Sequence, residues 1–195
     1  MMVKICGITN REDALAAIDA GAAALGFNFY PASPRYIAPG QAAAIAEGLP
    51  ASVWKVGVFV DESAEAVLRT AAQAGLDVAQ LHGSESPDRY QKGMRVWKAI
   101  RSKGQAFSLP ELGSRVEAVL LDGPASGQVF YWARVPQGIE KLILAGGLDS
   151  DNVRQAIQQV HPWGVDACSR IETSPGRKDH FKMAAFVKAA LAASP

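Results

Sequence analysis

The sequence predicts a single-domain (β/α)8 barrel, an α/β fold of the TIM-barrel type, spanning residues 1–195. Three observations carry that prediction. Short apolar runs alternate with helical patterns along the whole chain. The apolar runs are continuous, as in Val56-Gly57-Val58-Phe59-Val60, which suits strands covered on both faces of a parallel sheet. Eight such strands can be counted, and parallel neighbours need crossover connections between them. An open, doubly wound sheet is the competing architecture. Sheets of that kind usually have fewer units at this length, and no Gly-rich dinucleotide fingerprint supports it.

The elements follow in order. Lys4 to Cys6 is the first strand, and Thr9 is an N-cap candidate for a helix from Arg11 to Ala20 that stops at Gly21. Ala24 to Phe29 is the second strand. The loop Tyr30-Pro31-Ala32-Ser33-Pro34-Arg35-Tyr36 leads to an Ala-rich helix from Gln41 to Glu47. Val53 to Val60 is the third strand, and Ser63 caps a helix that runs to Ala74 and ends at Gly75. Val78 to His82 is the fourth strand, followed by a weak helical pattern from Glu85 to Lys92. Arg95 to Ile100 is the fifth, with a poor helical stretch from Phe107 to Gly113 after it. Glu117 to Leu121 is the sixth, with a short element near Trp132. Lys141 to Leu144 is the seventh, and Asp149 or Ser150 caps a helix to Val160. Gly164 to Cys168 is the eighth, and Asp179 to Ala193 forms the last helix, giving about eight helices.

Composition narrows the function. Hydrophobic residues make up 49% of the chain, enough for one core. The net charge is +1 with no basic block, which argues against nucleic-acid binding. No apolar run approaches the ~18 residues of a membrane helix, and the N-terminus lacks signal-peptide regions. Cys6 and Cys168 are too few for a disulfide framework and have no metal-type spacing. A cytoplasmic protein, without a membrane partner, is expected.

Strand alternation places the polar groups. Lys4 and Cys6 share one face of the first strand, Gln80 and His82 one face of the fourth, and Asp166 and Cys168 one face of the eighth. Asp122 has the parity of Leu120. These side chains are expected to point into the barrel near its C-terminal rim, where such barrels carry their sites. Interior polar groups cost free energy unless paired or used. Read alone, Cys6 fits either a buried small hydrophobe or a nucleophile or base at a strand end. Gly146-Gly147 after the seventh strand and Ser169-Arg170 after the eighth suit an anion such as phosphate, because glycines admit close approach to backbone N–H groups. An ordinary tight turn is the alternative for the glycines. Arg35 could clamp a carboxylate or simply be solvated. For Lys4, an ion pair with an interior carboxylate stands beside a role in favouring the Cys6 thiolate. For His82, a hydrogen-bonded core position stands beside one near substrate.

Several motifs occur together in order. They are Lys4-Ile5-Cys6-Gly7-Ile8-Thr9, Gly26-Phe27-Asn28-Phe29-Tyr30-Pro31 through Ser33-Pro34-Arg35-Tyr36, and Lys55-Val56-Gly57-Val58-Phe59-Val60. Further along come Gln80-Leu81-His82-Gly83, Leu120-Leu121-Asp122, Ala145-Gly146-Gly147-Leu148 with Asn152-Val153, Gly164-Val165-Asp166, and Pro175-Gly176 with Lys178-Asp179. With them the chain resembles the phosphoribosylanthranilate isomerase family of tryptophan biosynthesis over nearly its whole length. The resemblance implies an Amadori rearrangement of a phosphosugar–anthranilate substrate without metal or cofactor. It implies Cys6 as general base and Asp122 as general acid. Arg35 would hold the anthranilate carboxylate, Gly146, Gly147, Ser169 and Arg170 the phosphate, and Asp166 would lie near the substrate. His82 is a further substrate-side candidate. Either a monomer or a homodimer is compatible with the sequence.

Two stretches depart from the family pattern. The loop after Asp122 is short, Gly123-Pro124-Ala125-Ser126-Gly127, where the family usually has a Gly-rich stretch. The turn after the eighth strand reads Cys168-Ser169-Arg170-Ile171-Glu172, with arginine where the family usually has glycine. Three competing functions follow: an isomerase that also accepts the related histidine-pathway aminoaldose, a phosphate-binding barrel that has lost catalysis, and a redox role for the two thiols. A stable disulfide between them would argue against Cys6 as base.

Overall fold

In a computed structural model, which describes residues 1–90, 93–103, 107–109 and 112–193, eight parallel strands close into a barrel in sequence order. They are β1 (Met2–Cys6), β2 (Ala24–Asn28), β3 (Trp54–Phe59), β4 (Val78–Leu81), β5 (Arg95–Arg101), β6 (Val116–Asp122), β7 (Leu142–Leu144) and β8 (Gly164–Ala167). β1 pairs with β2 on one side and β8 on the other, so the sheet has no edge. Every predicted strand is present, with ends displaced by one or two residues.

The helical layer is thinner than expected. Among the described residues there are five α-helices: α1 (Arg11–Asp19), α2 (Pro39–Ala46), α3 (Ala64–Ala74), α4 (Val153–Val160) and α5 (His180–Ala193). The helix expected over Glu85–Lys92 is a single 3-10 turn at Pro87–Arg89, and its reading also covers Gln91 and Lys92, outside the described residues. The element near Trp132 is another such turn, Trp132–Arg134. The described part of Phe107–Gly113 is irregular, and Pro110 and Glu111 lie outside the described residues. Proline and glycine explain the pattern. Pro87, Gly93, Gly113, Pro124, Gly127, Pro136 and Gly138 punctuate these connections, and neither residue supports a helix interior.

Two caps also differ. Asn10, not Thr9, caps α1: its side chain accepts from the Asp13 N–H at 2.8 Å. Thr9 instead donates to the carbonyl of Gly176. α4 starts three residues later than Ser150, because Asp149 Oδ1 first accepts the N–H groups of Asp151 and Asn152 in a separate turn. The expected α3 caps are present: Ser63 Oγ accepts from Ala66 N–H, and Gly75 is left-handed at φ +62°.

Alternation sorts the side chains into two layers. Val3, Ile5, Leu25, Phe27, Val119, Leu121 and Val165 point outward and pack against α1, α2, α4 and α5. Met2, Ala24, Val56, Val78, Trp97, Ala118, Leu120 and Ile143 point inward. Trp54, Trp97 and Trp163 cluster with ring centroids 5.7–6.1 Å apart and fill the N-terminal end of the barrel. The C-terminal end is polar: Lys4, Gln80 and Asp166 are all buried there. Between β8 and α5 lies an element absent from the sequence reading, an antiparallel ribbon of β9 (Glu172–Ser174) and β10 (Arg177–Lys178). Pro175-Gly176 turns it, with Gly176 at φ +81°. Among the described residues no helix is long and apolar enough to cross a membrane.

Candidate active site

A cavity of about 420 Å³ opens at the C-terminal rim. Every residue that the sequence proposed for a site lines it: Cys6, Arg35, His82, Asp122, Gly146, Gly147, Asp166, Ser169 and Arg170. Strand parity is the reason for those on strands or at their ends, while Arg35, Gly146, Gly147, Ser169 and Arg170 come from the connections after β2, β7 and β8. Cys6, Gln80, Asp122, Asp166 and Cys168 fall on the inward face of their strands or just past the ends, as alternation requires.

Cys6 ends β1 beside a buried charge pair. Lys4 Nζ lies 2.9 Å from Asp166 Oδ2, with both side chains almost wholly buried. Burial acts against the Lys4 charge, but Asp166 and Cys6 outweigh it and the ammonium is retained. Burial pushes the Asp166 carboxyl up to about 7, with Lys4 opposing the shift. One cation thus faces two acidic groups, and the ion pair and the thiolate-supporting role are not exclusive. The Cys6 thiol is held well below its ordinary range, chiefly by a hydrogen bond from Cys168 and then by Lys4 and Lys178, against burial. Both thiols are free.

Asp122 ends β6 on the other side of the mouth. Its Oδ1 accepts from Gly123 N–H at 2.9 Å. Its Oδ2 lies 3.4 Å from His82 Nε2 and 3.8 Å from Arg101 Nη2. Arg101 was missed by sequence reasoning: it follows the predicted end of the fifth strand, and its neighbours give no local signal.

Arg35 is not a solvated loop arginine. Its Nε and Nη2 make a fork onto Glu172 at 2.7–3.1 Å, and it reaches the cavity from the loop after β2. Glu172 is buried and also accepts from Lys178 Nζ at 2.9 Å and Gly176 N–H at 3.2 Å. Lys178 is fully buried at its side chain. The ribbon that carries Glu172 and Lys178 is anchored on α1, where Asp13 accepts from Lys178 N–H at 2.9 Å and lies 2.8 Å from His180 Nε2. Glu172 and Lys178 are the largest omission of the sequence reading. Pro175-Gly176 was the available signal, since that dipeptide favours a turn and hence a hairpin.

The anion-type loops pack on one another. Gly146 and Gly147 are left-handed at φ +82° and +66°. A Cβ at Gly147 would come within 2.8 Å of Gly127 O and Val129 N, so the short loop after Asp122 crosses directly over the glycine pair. Ser169 and Arg170 stand in a single 3-10 turn, Ser169–Ile171, too short to act as a helix dipole. Arg170 borders the cavity while its Nε donates to Asp149 Oδ2 at 2.5 Å.

Residues 3–189 match the family model described as N-(5'-phosphoribosyl)anthranilate (PRA) isomerase. The chain belongs to the phosphoribosylanthranilate isomerase family. The N-(5'-phosphoribosyl)anthranilate isomerase of Solibacter usitatus is 49% identical, covering 99% of this chain and 98% of that one. The crystal structure of phosphoribosyl anthranilate isomerase from Thermus thermophilus superposes with a TM-score of 0.89 at 40% identity, covering 98% and 99% of the two chains. A further family structure, in complex with reduced 1-(o-carboxyphenylamino)-1-deoxyribulose 5-phosphate, is similar at TM-score 0.84 and 37% identity, with 98% and 99% covered. The family's barrel is therefore kept here despite the short loop after Asp122 and the arginine at 170.

Proposed function

We propose that this chain converts N-(5-phosphoribosyl)anthranilate to 1-(2-carboxyphenylamino)-1-deoxyribulose 5-phosphate, the isomerase step of L-tryptophan biosynthesis, and does so in the cytoplasm. The observation that carries the residue assignment is the placement of Cys6 and Asp122 on one cavity, on strands separated by β7 and β8. An acid and a base on two sides of one substrate meet the needs of an Amadori rearrangement. Asp122 donates a proton to the furanose ring oxygen, and the ring opens to the protonated imine. The Cys6 thiolate then takes the proton from the sugar C2. The aminoenol so formed tautomerises to the ketone, and no atom is gained or lost.

Substrate contacts follow from the cavity walls. Arg35 meets the anthranilate carboxylate with its remaining Nη1 edge, while Glu172 holds the other edge of the fork. Gly146 and Gly147, with Ser169 and Arg170, hold the phosphate. His82 and Asp166 face the substrate between these two ends, with His82 Nε2 3.4 Å from Asp122 Oδ2.

The test is turnover of freshly generated phosphoribosylanthranilate, followed by the loss of its fluorescence. Wild type is expected to be active, and Cys6→Ser and Asp122→Asn to lose roughly 10²–10⁴-fold in kcat, the usual share of one general acid or base. Retention of near-wild-type turnover by either variant removes that residue from the mechanism.

A further inference from the structure

Gln80 is a buried polar side chain of the cavity that the mechanism leaves unused. It sits on β4, is 1% exposed, and lines the cavity wall. Its Oε1 has no hydrogen-bond partner among the described residues. In register beside it stand Val58 on β3 and Trp97 on β5. Valine has nothing to donate, and Trp97 Nε1 is itself without a partner among the described residues. A buried acceptor left unpaired costs free energy, so one held against a cavity suits a donor that arrives with the ligand. A side-chain amide is neither an acid nor a base at working pH, so hydrogen bonding is the chemistry it offers.

Closure of the barrel selects the donor. The strands run β1 to β8 in order, so β4 lies across the ring from β8, with β1 on one side of that line and β6 on the other. On the isomerase reading the phosphate is held after β7 and β8, the carboxylate meets Arg35 after β2, and Cys6 on β1 takes the C2 proton. Three of the four bonds of C2 are then directed. The hydrogen points toward β1, C3 leads to the phosphate, and C1 leads to the anthranilate. The hydroxyl is left pointing away from β1, toward the wall that β4 and β5 build. Trp97 and Ala99, inward on β5, offer no acceptor, and Arg101 at its end lies 3.8 Å from Asp122 Oδ2. Gln80 Oε1 is the unpaired oxygen on that wall.

We infer that Gln80 orients the substrate: its Oε1 accepts a hydrogen bond from the C2 hydroxyl and so holds the C2–H bond toward Cys6. The inference rests on the isomerase reading and deepens it. No proton passes to the amide. The C2–H proton goes to Cys6, and the hydroxyl keeps its own until the aminoenol becomes the ketone. The same contact gives the site a preference at C2, because the opposite configuration exchanges hydrogen and hydroxyl and leaves Oε1 unpaired.

The experiment is titration calorimetry with two probes and two proteins. The probes are reduced 1-(o-carboxyphenylamino)-1-deoxyribulose 5-phosphate, whose C2 carries a hydroxyl, and its 2-deoxy counterpart. The proteins are wild type and Gln80→Met, which keeps the length of the side chain without the amide. Wild type is expected to bind the hydroxyl probe about tenfold more tightly, the upper range of a neutral hydrogen bond. Gln80→Met should bind the two probes alike. Equal weakening of both probes marks a packing role and overturns the inference, as does a preference that survives in Gln80→Met. Single-turnover conversion of phosphoribosylanthranilate should slow by roughly 10–100-fold in the variant, through lost orientation at C2; an unchanged rate also overturns it. The urea midpoint of Gln80→Met should be unchanged or raised, since the oxygen removed has no partner in the free protein. A lowered midpoint, or a variant that does not fold, counts against the inference for the same reason. Wild type that binds neither probe and turns over no substrate is the failure of the isomerase reading instead.

Discussion

Glu172→Gln removes one negative charge from between two cations and keeps the side-chain shape, so cavity formation does not enter. The Glu172 side chain is 4% exposed, that of Lys178 is 0% and that of Arg35 is 15%. After the change, Lys178 keeps mainly the Cys168 carbonyl at 3.4 Å. Breaking a buried ion pair by deleting one partner costs ~3–5 kcal/mol, because the other charge is left uncompensated. That is a large part of the ~5–15 kcal/mol that a folded chain has in total. At ~2–4 °C per kcal/mol for a chain of this size, Tm should fall by roughly 6–20 °C. The pH dependence has a definite sign. Burial pushes the Glu172 carboxyl up, but Arg35 and Lys178 outweigh it and hold it below its ordinary 4.5. A carboxyl whose folded value is depressed stabilises the fold above its unfolded value and loses that contribution as pH falls through the folded one. The gap between wild type and Glu172→Gln should therefore be full at neutral pH and narrow in acid below 4.5. Urea unfolding followed by tryptophan fluorescence, at neutral and acid pH, measures both. A gap under about 1 kcal/mol at neutral pH, typical of exposed pairs, would refute the reasoning. So would a gap that stays constant through the acid range. In turnover assays the same variant should raise KM more than it lowers kcat, since Arg35 loses the partner that fixes its fork.

Two further changes probe the base and the anion loops. Lys4→Met removes the cation beside Cys6 while keeping a long apolar stem; alkylation of Cys6 at neutral pH is expected to slow by about tenfold, one pKa unit of lost thiolate, and an unchanged rate would show that Lys4 serves only Asp166. Gly146→Ala forces an L side chain into a left-handed backbone at φ +82° and drives its Cβ to 2.7 Å from Gly123 Cα; it should cost ~1–2 kcal/mol of stability from the backbone strain alone and raise KM with a smaller effect on kcat, and steady-state kinetics showing an unaltered KM would separate the glycine pair from phosphate binding.

Much of this protein is decided by local pattern. Eight apolar runs at crossover spacing set the number and direction of the strands, and a period of two assigns each side chain to an inner or outer layer. Given a closed barrel, Lys4, Cys6, Gln80, Asp122 and Asp166 had to face inward, and polar groups inside had to gather at one rim. That is why Cys6, His82, Asp122 and Asp166 share a single cavity, which the loops after β2, β7 and β8 complete with Arg35, Gly146, Gly147, Ser169 and Arg170. Where local signals conflicted, the sequence reading gave way. Proline and glycine cut the weak helical stretches to short turns, and Asn10 took the cap from Thr9 because its amide oxygen reaches the Asp13 N–H.

What only the tertiary structure decided involves contacts between residues far apart in the chain. Arg35 meets Glu172, and Asp13 meets Lys178, across separations of 137 and 165 residues. No periodicity encodes such a pairing, because each partner looks like an ordinary surface charge in its own segment. Closure of the barrel brings β1 beside β8, and with them Lys4 against Asp166 and Cys6 against Cys168. The inward polarity of the rim is a property of the strand pattern; the protonation of the groups within it depends on neighbours that only the closed sheet and the Glu172–Lys178 ribbon supply.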